Sequence, residues 1–532
     1  MQTYLSPLAP PALTRRGALR LSLGGAAAGL WLPGAGWAAA PARNNGAGSL
    51  PGTAFADGLP RSQPEAQGIA SGAILAFLDE ARRNAYELQS FMLWRNGHVV
   101  AEGWWEPYRA DRIHMMHSLT KSVTVSAVGM ALAEGKFGMD DKVVSFFPEH
   151  VPATVSPHLA AMTVRDLLTM KTGHASMTSG SEWRPIKTSW IAEFFKIPVE
   201  FAPGSKFVYT SAATYMLSAI VTRTTGQSVA DYLKPRFFDP LGITGYEWEP
   251  GPEGISPGAN GLSWKTVDSL KLGILHAQGG VWNGKQILPR AWVDAVHQPL
   301  TKDRYGMQWW LNPYNNAYNA DGLFGQFSIV FPDQNAVLAT TSAIPSGAGV
   351  LRNVAYKHFP AAFGAPRAPD RAGHAALQAR TRALRLVPPP NPVGSPVAAQ
   401  VSGQRYEMKN NTEQVKAVRF DFSDDTCTFR LEDAQGTHVV QAGLRTPSEG
   451  DTSMPGAKLH HEYAPARMRV VAQGEWRDNA TFVMTWSFVE SAFRDTVVCR
   501  FSGPFVTVDR STNVNSAALS LPTLQGQRKM PA

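Results

Sequence analysis

Apolar residues recur along this chain at two periods, and the changes of period divide it into parts. Over residues 71–83, Ile74, Leu75, Leu78 and Ala81 share one face at helical spacing, which predicts a short helix. Residues 91–104 hold two apolar runs parted by Asn96-Gly97, so the spacing predicts an antiparallel hairpin. Helical spacing returns after Lys121, where Val125, Val128, Ala131 and Leu132 share a face and predict a buried helix. Residues 164–170 read as helix, ending near Gly173. A loop over 203–211 runs into a helix holding Tyr215, Leu217, Ile220 and Val221, stopped by Gly226. A further helix spans 267–277. Segments 305–310, 327–331 and 336–341 read as three strands of one sheet, the last two joined by a turn at 332–335.

From Gly364 the composition shifts to Ala, Pro and Arg, ending in a proline run at 388–392, and a domain boundary is placed there. Beyond it the period is two. Segments 417–422, 427–431, 439–442, 468–472, 481–488 and 495–501 alternate as strands of a small all-β domain. That domain shows no set of acid, base and nucleophile, so a supporting or cleft-trimming role is expected. The tail after Arg510 is expected to be disordered.

The first forty residues do not read as fold. Thr14-Arg15-Arg16-Gly17-Ala18-Leu19 looks like a twin-arginine export motif, followed by an uncharged Gly/Ala-rich stretch over 21–32 that is too short and mild for a membrane span. Small-residue cleavage sites follow at Ala38-Ala39-Ala40 and Ala40-Pro41-Ala42. Export into the periplasm or beyond is expected, with no stable membrane insertion after cleavage. The resulting division is a signal peptide over 1–42, a linker over 43–63, a first globular domain over 64–365, a Pro/Ala-rich linker over 366–398, the all-β domain over 399–511 and a tail over 512–532.

Charge and cysteines narrow the chemistry. The 532 residues carry a net charge of +8, but no basic run interleaves with aromatics, so nucleic acid is not an expected partner. Cys427 and Cys499 both alternate with apolar neighbours and face an apolar interior, as two thiols or one bridge. His114 and His117, or His460 and His461, lack the companions of a metal site, so no metal or cofactor is expected.

The candidate chemistry sits at the start of the helix after Lys121. Ser118 and Lys121 are three residues apart, which stacks their side chains on one helix face. One reading is an N-cap serine with a lysine reaching for water. The other is a nucleophile beside its base: a serine hydroxyl is weak until its proton is taken, and a lysine takes it only if desolvation keeps the amine neutral. Backbone N–H groups at the helix start can hold a developing oxyanion.

The order of strands, Ser-x-x-Lys helix, helical region and strands again resembles the serine β-lactamase/DD-peptidase-like family, most of all its esterase and 6-aminohexanoate-dimer hydrolase branch. The resemblance covers roughly residues 68–358. It includes Thr163-Val164-Arg165-Asp166-Leu167-Leu168-Thr169, Phe201-Ala202-Pro203-Gly204-Ser205 and Pro240-Leu241-Gly242-Ile243. It implies an α+β fold, an antiparallel sheet flanked by helices with a helical subdomain, to which the small all-β C-terminal domain is added.

The family's Tyr-x-Asn segment matches Tyr209-Thr210-Ser211, so Tyr209 carries over as proton shuttle, its phenol acidified by Lys121, and Ser211 stands where the substrate-contacting asparagine would be. A literal Lys171-Thr172-Gly173 lies in the wrong place for the family's Lys-Thr-Gly strand. That strand corresponds to Ala320-Asp321-Gly322, where Gly322 matches the glycine and no lysine is present. The N–H groups of Ser118 and Leu323 are the expected oxyanion hole. Loss of the lysine removes the cation that recognises a substrate carboxylate in relatives. The expected activity is an exported serine hydrolase cleaving a carboxylic ester or small amide. The alternatives are β-lactamase or D-alanyl-D-alanine carboxypeptidase activity, or a catalytically weak wall-binding protein on the same scaffold. The oligomeric state is not legible.

Overall fold

A computed structural model describes residues 55–178, 181–302, 304–312, 316–345 and 349–528. The twin-arginine motif and both cleavage sites lie outside the described residues. Glu87–Arg95 and His98–Trp104 form the expected hairpin, with Asn96 and Gly97 both at positive φ in its turn. The hairpin is one side of a six-stranded antiparallel sheet, which continues through Ala336–Ala343, Gln326–Phe331, Tyr318–Gly322 and Trp310–Leu311.

Both faces of this sheet are covered. Phe91 and Leu93 pack with Phe327 and Leu338 under helices Ser71–Arg83 and Gly349–Ala362. Met92 and Trp94, pointing the other way, join Val330 and Val337 in a second core beneath helix Thr266–Ala277. That core extends to helix Thr120–Ala133, which is buried on nearly every side. Gly129 interrupts its interior at a typical cost of about 1 kcal/mol against alanine. The reason is contact: a Cβ there would lie 2.2 Å from the indole of Trp292, whose N–H donates to the Val125 carbonyl. Helix Ser211–Thr225 packs beside it and ends at Gly226 in a left-handed conformation.

The C-terminal part is a β-barrel. Ten strands pair in one antiparallel sheet, which rolls up where Gly443 meets Gln473 on a parallel neighbour. Its interior is filled by side chains such as Phe420, Phe429, Phe482 and Trp486. Cys427 and Cys499 both lie in this interior as free thiols, their pKa values raised by burial. The barrel is fixed to the first domain by ion pairs from Arg494 to Glu87 (2.7 Å) and from Arg112 to Glu449 (2.6 Å).

Three expectations are corrected. The segment 305–310 is not a strand, because Gln308, at φ 63°, turns inward: its amide donates to the Leu168 carbonyl at 2.9 Å and accepts from the Thr214 hydroxyl at 2.7 Å. Trp310–Leu311 pairs at the sheet edge, and Tyr305 makes a single bridge back to Trp310. The expected linker over 366–398 holds a helix, Arg371–Arg382, anchored by buried Leu377 and an Arg380–Asp79 ion pair of 2.8 Å. The tail expected to be disordered beyond residue 511 contains Leu524–Arg528, a barrel strand paired with Arg405–Met408 and Phe505–Thr512.

Candidate active site

Ser118 does not lie within the main helix. It sits in the single 3₁₀ turn His117–Leu119 that leads into Thr120–Ala133. The residue before it, His117, is buried at φ 47°, a conformation uncommon outside glycine. The resulting bend leaves Ser118 part-exposed while its neighbours on both sides are buried. Lys121, one turn on, is 2% exposed.

The Lys121 amine makes three hydrogen bonds. It donates to Ser118 Oγ at 3.0 Å, to Ser211 Oγ at 3.1 Å and to the carbonyl of Ala259 at 3.1 Å. Burial depresses its pKa to about 7, with the charge of Asp321 opposing the shift. The amine therefore exchanges its proton near neutrality, as a general base must. The reading with a lysine reaching for water is excluded by this burial.

Tyr209 closes the group. The Lys121 amine lies 4.9 Å from the centre of its ring, and its phenol interacts with the Ser118 side chain. The ring stacks on Trp310 at 5.6 Å and meets Tyr305 edge-on at 6.0 Å. One expectation fails here: Lys121 does not acidify the phenol. Burial pushes the phenol's pKa up, so it keeps its proton at neutral pH. Within this group the amine is thus the group that loses its proton the more readily, and the phenol the one that keeps it.

The strand Tyr318–Gly322 packs against the Ser118 turn. Gly322 makes that approach possible: a Cβ on it would lie 2.2 Å from the Met116 carbonyl. Leu323 follows directly, its carbonyl accepting from the Gln326 amide at 2.9 Å. Ala320, on the same strand, is buried and supplies no cation. The charge on this strand is Asp321, paired with Arg352 at 3.1 Å and raised by burial to a pKa of about 6. The literal Lys171-Thr172-Gly173 is spent elsewhere, the Lys171 amine donating to the Leu300 carbonyl at 2.9 Å.

Two contributors escaped the sequence reading. The Ala259 carbonyl is presented by a loop that helices clamp, Thr124 Oγ1 donating to Gly258 O and Ser218 Oγ to Ser256 O, each at 2.7 Å. A backbone acceptor leaves no mark in residue type. Asp321 was visible only as a neighbour of Gly322. Among the described residues, no cluster of His, Cys, Asp and Glu is placed to hold a metal ion.

Comparison with known proteins agrees with this architecture. The family model described as Beta-lactamase matches residues 88–363. A lovastatin esterase of Penicillium rubens is 26% identical over 167 residues, 27% of this chain and 42% of that protein. Esterase EstB of Burkholderia gladioli is 28% identical over 152 residues, 26% of this chain and 38% of that one. The 6-aminohexanoate-dimer hydrolase of Paenarthrobacter ureafaciens is 23% identical over 295 residues, 48% of this chain and 72% of that one. The chain thus spans less than half the length of the two esterases.

Proposed function

The chain belongs to the beta-lactamase family, and on that premise we propose that it is an exported serine hydrolase acting on a carboxylic ester or small amide. The observation that carries this reading is the buried Lys121 amine, held 3.0 Å from the Ser118 hydroxyl with a pKa near 7.

In the proposed reaction Ser118 Oγ attacks the substrate carbonyl carbon while neutral Lys121 takes its proton. The N–H groups of Ser118 and Leu323 hold the oxyanion of the tetrahedral intermediate. Tyr209, protonated, gives its proton to the leaving group as the intermediate collapses, and is reprotonated from Lys121. Water, activated by the same amine, then releases the acid from Ser118. Ser211 and Gly322 border the space the acyl group takes.

The strand beside Ser118 favours a neutral acyl group. Its carboxylate, Asp321, is matched by Arg352, so that cation is not free to draw a substrate carboxylate. This speaks for an ester or amide over a β-lactam or a carboxyl-terminal peptide. The setting, periplasmic or secreted, is proposed from Arg15-Arg16 and the apolar stretch after it. Among the described residues no helix is long and apolar enough to cross a membrane.

Replacing Ser118 with alanine tests the reading. Turnover of p-nitrophenyl esters and covalent labelling by a serine-directed phosphonate should both vanish. Labelling that persists at another residue would overturn it.

A further inference from the structure

The loop joining barrel strands Thr481–Phe488 and Arg494–Ser502 touches the candidate site at both of its backbone supports. Three successive carbonyls of this loop accept hydrogen bonds from the first domain. Glu490 O takes the N–H of Met115 at 2.9 Å, Ser491 O the hydroxyl of Tyr108 at 2.9 Å, and Ala492 O the amide of Gln89 at 3.2 Å. Met115 lies three residues before Ser118, so the barrel bonds directly to the backbone that delivers the nucleophile.

Phe493 completes the contact. Its ring lies 6.3 Å from the His117 ring and 5.9 Å from the Phe324 ring, nearly perpendicular to both. His117 and Phe324 themselves meet at 5.4 Å. His117 precedes Ser118, and Phe324 follows Leu323; both hold positive φ, at 47° and 67°. Such backbone persists in bulky residues only when surrounding packing over-determines it. Behind Phe493, His460 stacks on it at 4.6 Å, bonded to Asp495 at 2.9 Å, which in turn accepts from Arg510 at 2.7 Å. With His460 and Asp495 fully buried, this hydrogen-bonded chain gives the ring a rigid backing.

We infer that Phe493 is a positioning residue, contributed by the barrel, that holds the Ser118 turn and the Leu323 turn in register for oxyanion binding. The inference rests on the serine hydrolase reading above. It makes the barrel part of the active site, where sequence alone suggested a supporting or cleft-trimming domain.

The test is pre-steady-state hydrolysis of a p-nitrophenyl ester by the full chain, with labelling by a fluorophosphonate. Phe493→Ala should lower the acylation rate and kcat at least tenfold, with KM changed less than threefold and the burst amplitude per folded molecule retained. Phe493→Leu should recover part of the rate. Phe429→Ala, in the barrel interior away from the loop, should lower thermal stability but leave the acylation rate within twofold. Equal rates in wild type and Phe493→Ala would overturn the inference alone. So would a loss confined to burst amplitude, since that marks fewer folded sites and not a misaligned one. A wild type that forms no adduct on Ser118 would overturn the hydrolase reading and this inference with it.

Discussion

Lys121 Nζ and Ser118 Oγ stand 3.0 Å apart, and the amine gives its two remaining bonds to the Ser211 hydroxyl and the Ala259 carbonyl. All three acceptors are neutral. The amine is therefore held in place without a bonded carboxylate to keep it charged, and burial is left free to lower its pKa to about 7.

That value sets the acid side of the pH profile. If neutral Lys121 is the working base, kcat/KM should rise with pH through about 7, gaining about tenfold between pH 6 and pH 8. Initial rates on an uncharged ester across this range check it. A flat profile would assign the proton elsewhere.

Lys121→Met should abolish turnover yet stabilise the fold. The folded pKa of about 7 lies below the ordinary value of 10.5, so between these limits the unfolded chain binds more protons and wild-type stability rises with pH. Below pH 7 the burial penalty is fully present, on the order of a few kcal/mol. The advantage of the methionine variant should be greatest there and shrink toward pH 10. Urea unfolding at pH 7 and pH 9.5 measures the difference.

Tyr209→Phe keeps the ring that stacks on Trp310 and removes only the proton donor. Alkyl esters, whose leaving groups need a proton, should lose about 10²–10⁴ in kcat. p-Nitrophenyl esters, with an acidic leaving group, should lose far less. Equal losses on both substrates would contradict the donor role.

Asp321→Asn removes the charge that opposes the depression of the Lys121 pKa and frees Arg352. The acid limb should move below pH 7. Acylation by penicillins, which carry a carboxylate, should accelerate severalfold as a cation becomes available at the strand. Mass spectrometry of the adduct over time reads the rate.

Gly322→Ala should impair both folding and activity, because its Cβ meets the Met116 carbonyl at 2.2 Å, a backbone atom that cannot swing aside. A cost of roughly 1–3 kcal/mol is expected from such overpacking, read as a lowered melting temperature.

The parts of this molecule that its sequence disclosed are those written in side chains. Hairpin and helices followed from apolar spacing, and the helix over 71–83 appears with those bounds. Ser118 and Lys121 stand out in the sequence because the proposed chemistry needs those residue types at that spacing, and the structure brings them to 3.0 Å. The Ala259 carbonyl and the Glu490–Ala492 carbonyls act through backbone alone, and any residue there would read the same. The last barrel strand was missed for a related reason. Leu524–Arg528 reads Leu-Gln-Gly-Gln-Arg, with only Leu524 and Gly526 buried, and it is held by hydrogen bonds to neighbours on both sides more than by apolar content of its own. Helix Arg371–Arg382 buries only Leu377, too little for a periodic signal against an Ala/Arg background.

Strand Leu524–Arg528 fills the gap between Arg405–Met408 and Phe505–Thr512. A growing polypeptide must therefore be translated past residue 528 before the last stave enters and the wall is whole. Ser118 is made early, yet the loop that braces it belongs to that wall. On the proposed reading, a nascent chain should thus stay silent toward ester probes until residue 528 has been added, a built-in delay between making Ser118 and arming it.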